Sequence, residues 1–294
     1  MILNVSGRTD VVAFYSKWFM NRWRAGFFDV RNPFNPKLVS RLRVEDVDLV
    51  MFCTKNPAPI IPFLKEINKP IIFHITLTPY KNDIEVNVKD KSLVIEDIRK
   101  LSEIIPKKNI VVRYDPIFIN DKYTIDYHLK AFERVCYLLS GYVNKMLISF
   151  LDEYKNVKKN IEALKPKRLT EEDYAKIGLG FAKIARKYGM TVQTCYEERN
   201  LIEYGFVKAD CLGQKQVFEL TGKAFPIGHW RGGDLCKCVE MADVGAYNTC
   251  PHFCKYCYAN YSEDDIKKNI KLHNPESSLL LGELNPDDEI KIRK

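Results

Sequence analysis

The sequence predicts an α/β fold built on a parallel sheet, a (β/α) partial or closed barrel. Three observations carry that expectation. Short runs rich in Val, Ile and Leu recur at 2–5, 48–53, 71–77, 110–114, 146–151 and 191–195. They are apolar nearly throughout rather than alternating, the pattern of parallel strands covered on both faces. Stretches with helical apolar spacing separate them, and repeated β–α units imply right-handed crossovers, six or more of them a barrel. The 294 residues fit one barrel-sized domain or two modest ones, and 46% hydrophobic residues supply a large core, which excludes global disorder.

The helices follow from local signals. Asp10 caps a helix on which Val11, Phe14, Tyr15, Trp18 and Phe19 share a face, and Gly26 ends it. Pro57 opens a helix through Phe63 and Leu64. Helical periodicity returns over 90–105 and 124–139. Thr170-Glu171-Glu172-Asp173 reads as a capping box with Asp in the place of the usual Glu, and Gly189 closes that helix. After Cys195 the texture changes. The stretch 205–233 is rich in Gly and turns and reads as irregular structure held by metal ligands rather than by a core of its own. A short strand is expected over 243–247 and a helix over 264–272, with the polar end a loosely packed cap or mobile tail. The expected division is 1–195 as barrel core, 196–272 as a cysteine-rich cluster-binding region completing the barrel, and 273–294 as tail.

No apolar run approaches the ~20 residues that span a bilayer. The first residues lack a basic segment followed by a long apolar one, so a cytoplasmic protein with no membrane partner is expected. Lys and Arg total 46 against 38 Asp and Glu, a net charge of +8. The basic groups at 107–108, 158–159, 165–168 and 267–268 are dispersed and read as solvated helix ends, so nucleic acid is a weakly supported partner.

In a reducing compartment the nine cysteines serve metals or catalysis rather than disulfides. Cys53 and Cys136 stand alone and read as core thiols, Cys53 at a strand end where it could face a site. The other seven lie between 195 and 257. Cys250, Cys254 and Cys257 form a C-x3-C-x2-C loop. Three thiolates in one loop can hold three corners of a [4Fe–4S] cube and leave one iron open, since most such cubes take four cysteines. The competing reading is zinc: Cys254-x2-Cys257 is a common knuckle, His252 and His229 are near in sequence, and Cys236-x-Cys238 offers two more thiolates. Cys195, Cys211, Cys236 and Cys238 match the ligand number of a second, auxiliary [4Fe–4S] cluster, with structural zinc or unligated thiols as the alternatives.

The cysteine loop resembles that of the radical S-adenosylmethionine (SAM) superfamily. There the open iron chelates the amino and carboxylate groups of SAM, and one-electron reduction cleaves a carbon–sulfur bond. Tyr256 resembles the aromatic residue often found beside the adenine. Wider segments, Asn4-Val5-Ser6-Gly7-Arg8-Thr9-Asp10, Val30-Arg31-Asn32-Pro33-Phe34-Asn35-Pro36, Thr54-Lys55-Asn56-Pro57, Thr76-Leu77-Thr78-Pro79-Tyr80, Arg113-Tyr114-Asp115-Pro116-Ile117 and 243–259, resemble an uncharacterised prokaryotic family. This is the domain of unknown function eighteen forty-eight, whose members look related to radical SAM proteins but carry the cluster at the C-terminus. More distantly, Arg113-Tyr114-Asp115-Pro116 and the Thr-x-Thr segment are similar to spore photoproduct lyase, a radical SAM enzyme that repairs a thymine dimer in DNA.

The superfamily usually places its triplet after the first barrel strand. A circular permutation reconciles the two orders, with 243–247 as the first strand and 2–5 as the second. The resemblance then implies that Ser6-Gly7-Arg8-Thr9-Asp10 replaces the segment that binds the SAM amino group. Gly7 lets the backbone approach, Asp10 or Ser6 accepts from the ammonium, and Arg8 pairs with the carboxylate. The alternative is that Asp10 only caps a helix and Arg8 is a surface charge.

Catalytic groups of a barrel sit at the C-terminal ends of its strands. That rule selects Thr54, Lys55, Asn56, Thr76, Thr78, Tyr80, Asp152, Glu153 and Glu197. Arg113 and Asp115 come first, because opposite charges at a strand end seldom serve a core. The alternative is an ion pair that only shapes the loop. His74 reads as a core histidine. The expected function is a radical SAM-type enzyme with two [4Fe–4S] clusters and SAM, acting on an unidentified substrate and reduced by a flavodoxin or ferredoxin. A zinc-stabilised nucleic-acid-binding protein, or an iron–sulfur electron-transfer protein without SAM chemistry, are the other readings.

Overall fold

The computed structural model describes residues 1–152, 155–229 and 236–293. Its strands are β1 (Ile2–Val5), β2 (Phe27–Arg31), β3 (Leu38–Arg43), β4 (Leu49–Thr54), β5 (Ile71–Thr76), β6 (Ile110–Ile117), β7 (Lys145–Phe150), β8 (Thr191–Thr194), β9 (Ala242–Asp243) and β10 (Glu289–Arg293). Its helices are α1 (Val11–Phe14), α2 (Ser16–Ala25), α3 (Lys91–Ile104), α4 (Ile125–Leu139), α5 (Lys155–Lys158), α6 (Ile161–Leu164), α7 (Glu171–Lys187), α8 (Gln214–Thr221) and α9 (Glu263–Lys271).

Seven strands form one sheet in the order β8-β7-β6-β5-β4-β1-β9, and every pairing is parallel. The six apolar runs all become strands, with ends displaced by at most three residues. The strand expected over 243–247 shrinks to β9, which pairs Leu3 with Ala242 and Asn4 with Asp243. The sheet is open, with β8 and β9 at its edges. The closed form of the expected barrel is therefore not what the described strands build.

Side chains alternate across this sheet as the period of two demands. Leu3, Val5, Val50, Phe52, Phe73, Ile75, Val112 and Tyr114 face the helices, where Trp18, Phe19, Phe132 and Phe181 bury against them. Each such side chain contributes on the order of 1.5–3 kcal/mol by leaving water. On the opposite face Ile2, Leu49, Met51 and Ile72 meet Leu212, Val217 and Val239. The segment after Cys195 thus has no separate core of its own but shares one with the sheet.

Local signals fare unevenly. The Thr170–Asp173 capping box forms in both directions, and Gly189 follows α7 at φ +71°. The helix expected from Asp10 to Gly26 breaks at Tyr15, whose hydroxyl donates to the Thr249 carbonyl at 2.6 Å. The helix after Pro57 is a 3-10 turn, Ile61–Glu66.

A second sheet escaped the sequence pattern. β2 and β3 pair antiparallel, and β10 adds to β3 in parallel. These strands are half exposed and interleave charges such as Asp29 and Arg41, which pair at 2.8 Å, so they read as loops. The stretch 273–293 is correspondingly not a loose tail. Trp18 Nε1 donates to the Ser277 carbonyl at 3.0 Å, Leu279 and Leu280 are buried, and Asp288 pairs with Arg31 at 2.6 Å. No described helix is long and apolar enough to cross a membrane.

Candidate functional site

Because the sheet is parallel, the turns after β9, β1, β4, β5, β6 and β8 emerge along one edge, the edge at which open α/β sheets bind ligands. The cysteine loop lies there. It is anchored by backbone pairing: Cys254 bridges to Glu85, Lys255 N donates to Ile84 O at 3.0 Å, and Asn87 N donates to His252 O at 3.0 Å. Side chains complete the hold, with Asn160 Nδ2 donating to Lys255 O at 2.7 Å and Asn260 Nδ2 to Cys250 O at 2.9 Å. Cys250 and Cys254 are buried and Cys257 is half-buried. Burial pushes the Cys254 thiol up to about 12, with Lys55 opposing the rise and Glu85 and Cys257 adding to it. Cys250 and Cys257 are also raised by burial, and Cys250 by the other two thiols as well. Such thiols stay protonated unless a cation takes them as thiolates.

Beneath the loop sits a charged island that the sequence did not announce. Glu85, 1% exposed, pairs with Lys55 at 2.7 Å and with Lys91, and accepts from Thr78 Oγ1 at 2.5 Å and from the Tyr256 hydroxyl. Burial disfavours its charge, but the two lysines outweigh that and hold the carboxyl down at about 2. Lys55 Nζ also lies 5.5 Å from the Tyr256 ring centre. Tyr256 is therefore packed inward among Tyr80, Ile84 and Cys254. Glu85 lies in a charged, irregular stretch, and nothing in that pattern distinguishes it from a surface residue.

Asp243 is the second hub that sequence reasoning passed over, naming it only as strand. Its Oδ1 accepts from Ser6 Oγ at 2.7 Å, Gly245 N at 2.7 Å and Arg8 Nε at 3.2 Å. Its Oδ2 accepts from Gly7 N at 2.6 Å and Asn4 Nδ2 at 3.0 Å. Arg8 also donates Nη2 to the Asp243 carbonyl at 2.6 Å, and the Tyr258 hydroxyl donates to Gly7 O. Ser6, Gly7 and Arg8 are thus gathered round Asp243. Asp10 caps α1 through Ala13 N at 2.9 Å, and its other oxygen takes Lys55 N at 2.8 Å and His252 Nε2 at 3.0 Å. Asp10 thus caps α1 and also steadies the cysteine loop through His252.

Gly245 approaches Ser6 so closely that a Cβ there would lie 1.9 Å from Ser6 Oγ and 2.9 Å from Ser6 Cβ. Gly245→Ala is expected to displace Ser6 from Asp243 and to destabilise the fold by about 1–3 kcal/mol. Gly7→Ala, whose Cβ meets Asp243 Oδ2 at 3.2 Å, should cost less. Thermal unfolding of both variants checks this, and an unchanged melting temperature for Gly245→Ala would contradict it.

Farther along the edge, Arg113 and Asp115 do form the ion pair, at 2.5 Å, with Ser149 Oγ 3.3 Å from Asp115. Arg113 also reaches His74 Nδ1 at 3.5 Å, and His74 is fully buried as expected. Burial works against the Arg113 charge, but Asp115, Cys195 and Cys211 hold it well above the usual value. Glu197, whose Oε1 accepts from Phe150 N at 2.6 Å, is pushed up to about 8 by burial, with Asp152, Cys195 and Asp115 adding to the rise. Glu153 lies outside the described residues. Among the four remaining cysteines Cys195 Sγ is 3.1 Å from Cys211 Sγ, which is 3.3 Å from Cys238 Sγ, and Cys236 hydrogen-bonds with Cys238. They run as a chain of sulfurs. Among the described residues no group of three or more His, Cys, Asp or Glu side chains is arranged so that it could hold a metal ion.

A family model described as "Domain of unknown function (DUF1848)" matches residues 2–259. No curated protein and no solved structure gives a match.

Proposed function

Since this chain belongs to the DUF1848 family, we propose that it is a radical SAM-type iron–sulfur enzyme of permuted chain order. The observation that carries the reading is the strand order. β9 stands at one edge, the C-x3-C-x2-C loop follows it, and β1 is its parallel neighbour. Cutting the chain before β9 and joining the ends would give the superfamily's usual succession of first strand, cluster loop and second strand.

On this reading Cys250, Cys254 and Cys257 hold the cluster. Their chemistry fits: three thiols, two buried and one half-buried, all held protonated by desolvation, need a cationic group to exist as thiolates, and among the described residues no fourth cysteine accompanies them in the loop. When bound, the cluster supplies the electron that cleaves SAM. The chain's own residues do the rest. The turn Ser6-Gly7-Arg8, braced by Asp243, brings backbone and one guanidinium nitrogen with no hydrogen-bond partner among the described residues, Nη1 of Arg8, to the edge beside the loop. The Glu85, Lys55 and Lys91 island leaves a net positive charge beside Cys254, which favours an anionic thiolate cluster. Arg113 and Asp115 lie along the same edge, where a substrate would meet the reacting group.

The test is iron and sulfide quantification of the full chain purified without oxygen, with EPR of the reduced protein before and after SAM. A cubane signal that changes on adding SAM is the expected result. Iron signals indifferent to SAM would leave the electron-transfer reading, and no iron at the loop would end both.

A further inference from the structure

We infer that the cleft between the 81–91 connection and the turn before α4 binds a phosphate-bearing small molecule. The cleft has a volume of about 490 Å³, within the range of small-ligand sites. Four lysines line it. Lys81, Lys89 and Lys91 come from the connection between β5 and α3, and Lys122 from the turn before α4. Three of the four are held in place. Lys91 pairs with Glu85, Lys122 with Asp83 at 2.7 Å, and Lys89 with Asp97 at 2.6 Å. Asp83 is itself fixed by the Tyr123 hydroxyl at 2.6 Å.

An ammonium has three N–H bonds to give. Lys91 and Lys122 each spend one on a carboxylate, and Lys89 spends a second on Asn56 Oδ1 at 3.4 Å. The ammonium of Lys81 has no partner among the described residues. Each of the four therefore keeps at least one donor for a ligand. The carboxylates that line the cleft are already answered. Asp83 and Glu85 face their lysines, and Asp90 accepts from Ser92 N at 2.8 Å as the cap of α3. Four ammoniums against three carboxylates leave the cleft positive. Among the described residues no arginine lines it. Lysines act as compact point charges, so a cluster of them suits a phosphate dianion with oxygens on every side, whereas a planar carboxylate is better matched by the arginine fork.

The cleft lies against the cysteine loop. Glu85 on its wall bridges to Cys254 and accepts from the Tyr256 hydroxyl, and the neighbouring Ile84 O and Asn87 N bond to the same loop at 3.0 Å. Tyr80 and Val88 add apolar wall for the body of the ligand. A phosphate here is a handle, binding energy taken at a distance from the reacting centre. Only the next step rests on the proposed function: the molecule so held is the substrate of the radical chemistry.

Calorimetric titration of the full chain, purified without oxygen, tests the cleft. The probe is inorganic phosphate, with malonate at matched ionic strength beside it. Lys81, Lys122 and Lys107 are exposed, so their glutamine variants keep the fold. Lys107 precedes β6, at the opposite edge of the sheet, and serves as the control. Saturable phosphate binding is expected, weakened about tenfold in Lys81→Gln and in Lys122→Gln, unchanged in Lys107→Gln, and tighter than malonate binding. No saturable phosphate binding, or equal weakening in Lys107→Gln, would overturn the site. Malonate bound as tightly as phosphate would overturn the choice of ligand. Iron content and the response to SAM are read on the same samples. Phosphate binding intact beside iron indifferent to SAM would end the radical reading and leave the cleft, and the reverse pattern would end the cleft alone.

Discussion

Glu85→Gln is expected to lower the melting temperature by on the order of 10 °C at neutral pH. The substitution keeps the shape of the side chain and removes only its charge. Lys55 and Lys91 then remain facing one another with no anion between them. Breaking a buried ion pair from one side costs about 3–5 kcal/mol, and each kcal/mol moves the midpoint of a chain of this size by a few degrees. Linkage gives a consistent magnitude. The carboxyl sits at about 2 in the folded protein against an ordinary 4.5, a depression that corresponds to about 3 kcal/mol. The sign follows from its direction. A lowered carboxylate pKa stabilises the fold above pH 4.5, and that contribution is lost as pH falls toward 2. The gap between wild type and variant should therefore be widest at neutral pH and close in that acid window. Thermal scans at pH 7, 4 and 3 test both statements, and equal melting temperatures at pH 7 would refute the account of the island.

Cys254→Ser is expected to empty the 250–257 loop of iron. Outer-shell substitutions alone cost 10–100-fold in metal affinity, so removing a ligand should cost on the order of 100-fold or more. Cys254 is the member of the triplet nearest the Lys55–Glu85 pair, so the serine also leaves that net positive charge facing a neutral hydroxyl. The loss should thus exceed what a missing bond alone produces. Cys53→Ser is the control: Cys53 is a half-buried thiol, raised to about 12 by desolvation and 3.6 Å from Asn4 Oδ1, and it should leave the iron untouched. Iron retained in Cys254→Ser at the wild-type level would show that the loop is not the ligand set.

The parallel strands were legible because each is buried on both faces, so its apolar character survives as an unbroken run. The half-exposed strands β2, β3 and β10 were not, because charged residues such as Arg31, Arg41 and Lys291 interrupt them. The cysteine loop was legible from spacing alone. Asp243 and Glu85 were invisible for a different reason. Each owes its importance to partners brought in from distant segments, and one chain read in order contains no sign of such company. The contacts that join Cys195, Cys211 and Cys238 are a property of the folded chain, which their count in the sequence does not give.

The hydrogen bond from Ser6 to Asp243 joins residues 237 positions apart. At a synthesis rate of about 5–20 residues per second, roughly 12–50 seconds separate the appearance of its two ends. During that interval β1 has no β9 to pair with, and the turn after it has no carboxylate to fold around. The loop cysteines emerge later still. Any metal centre held by the loop cysteines is therefore installed only after they have been made, and a ribosome-bound fragment ending before the loop has nothing to load. The order in which the chain is written out makes the candidate site wait for residues made after eight strands of the fold.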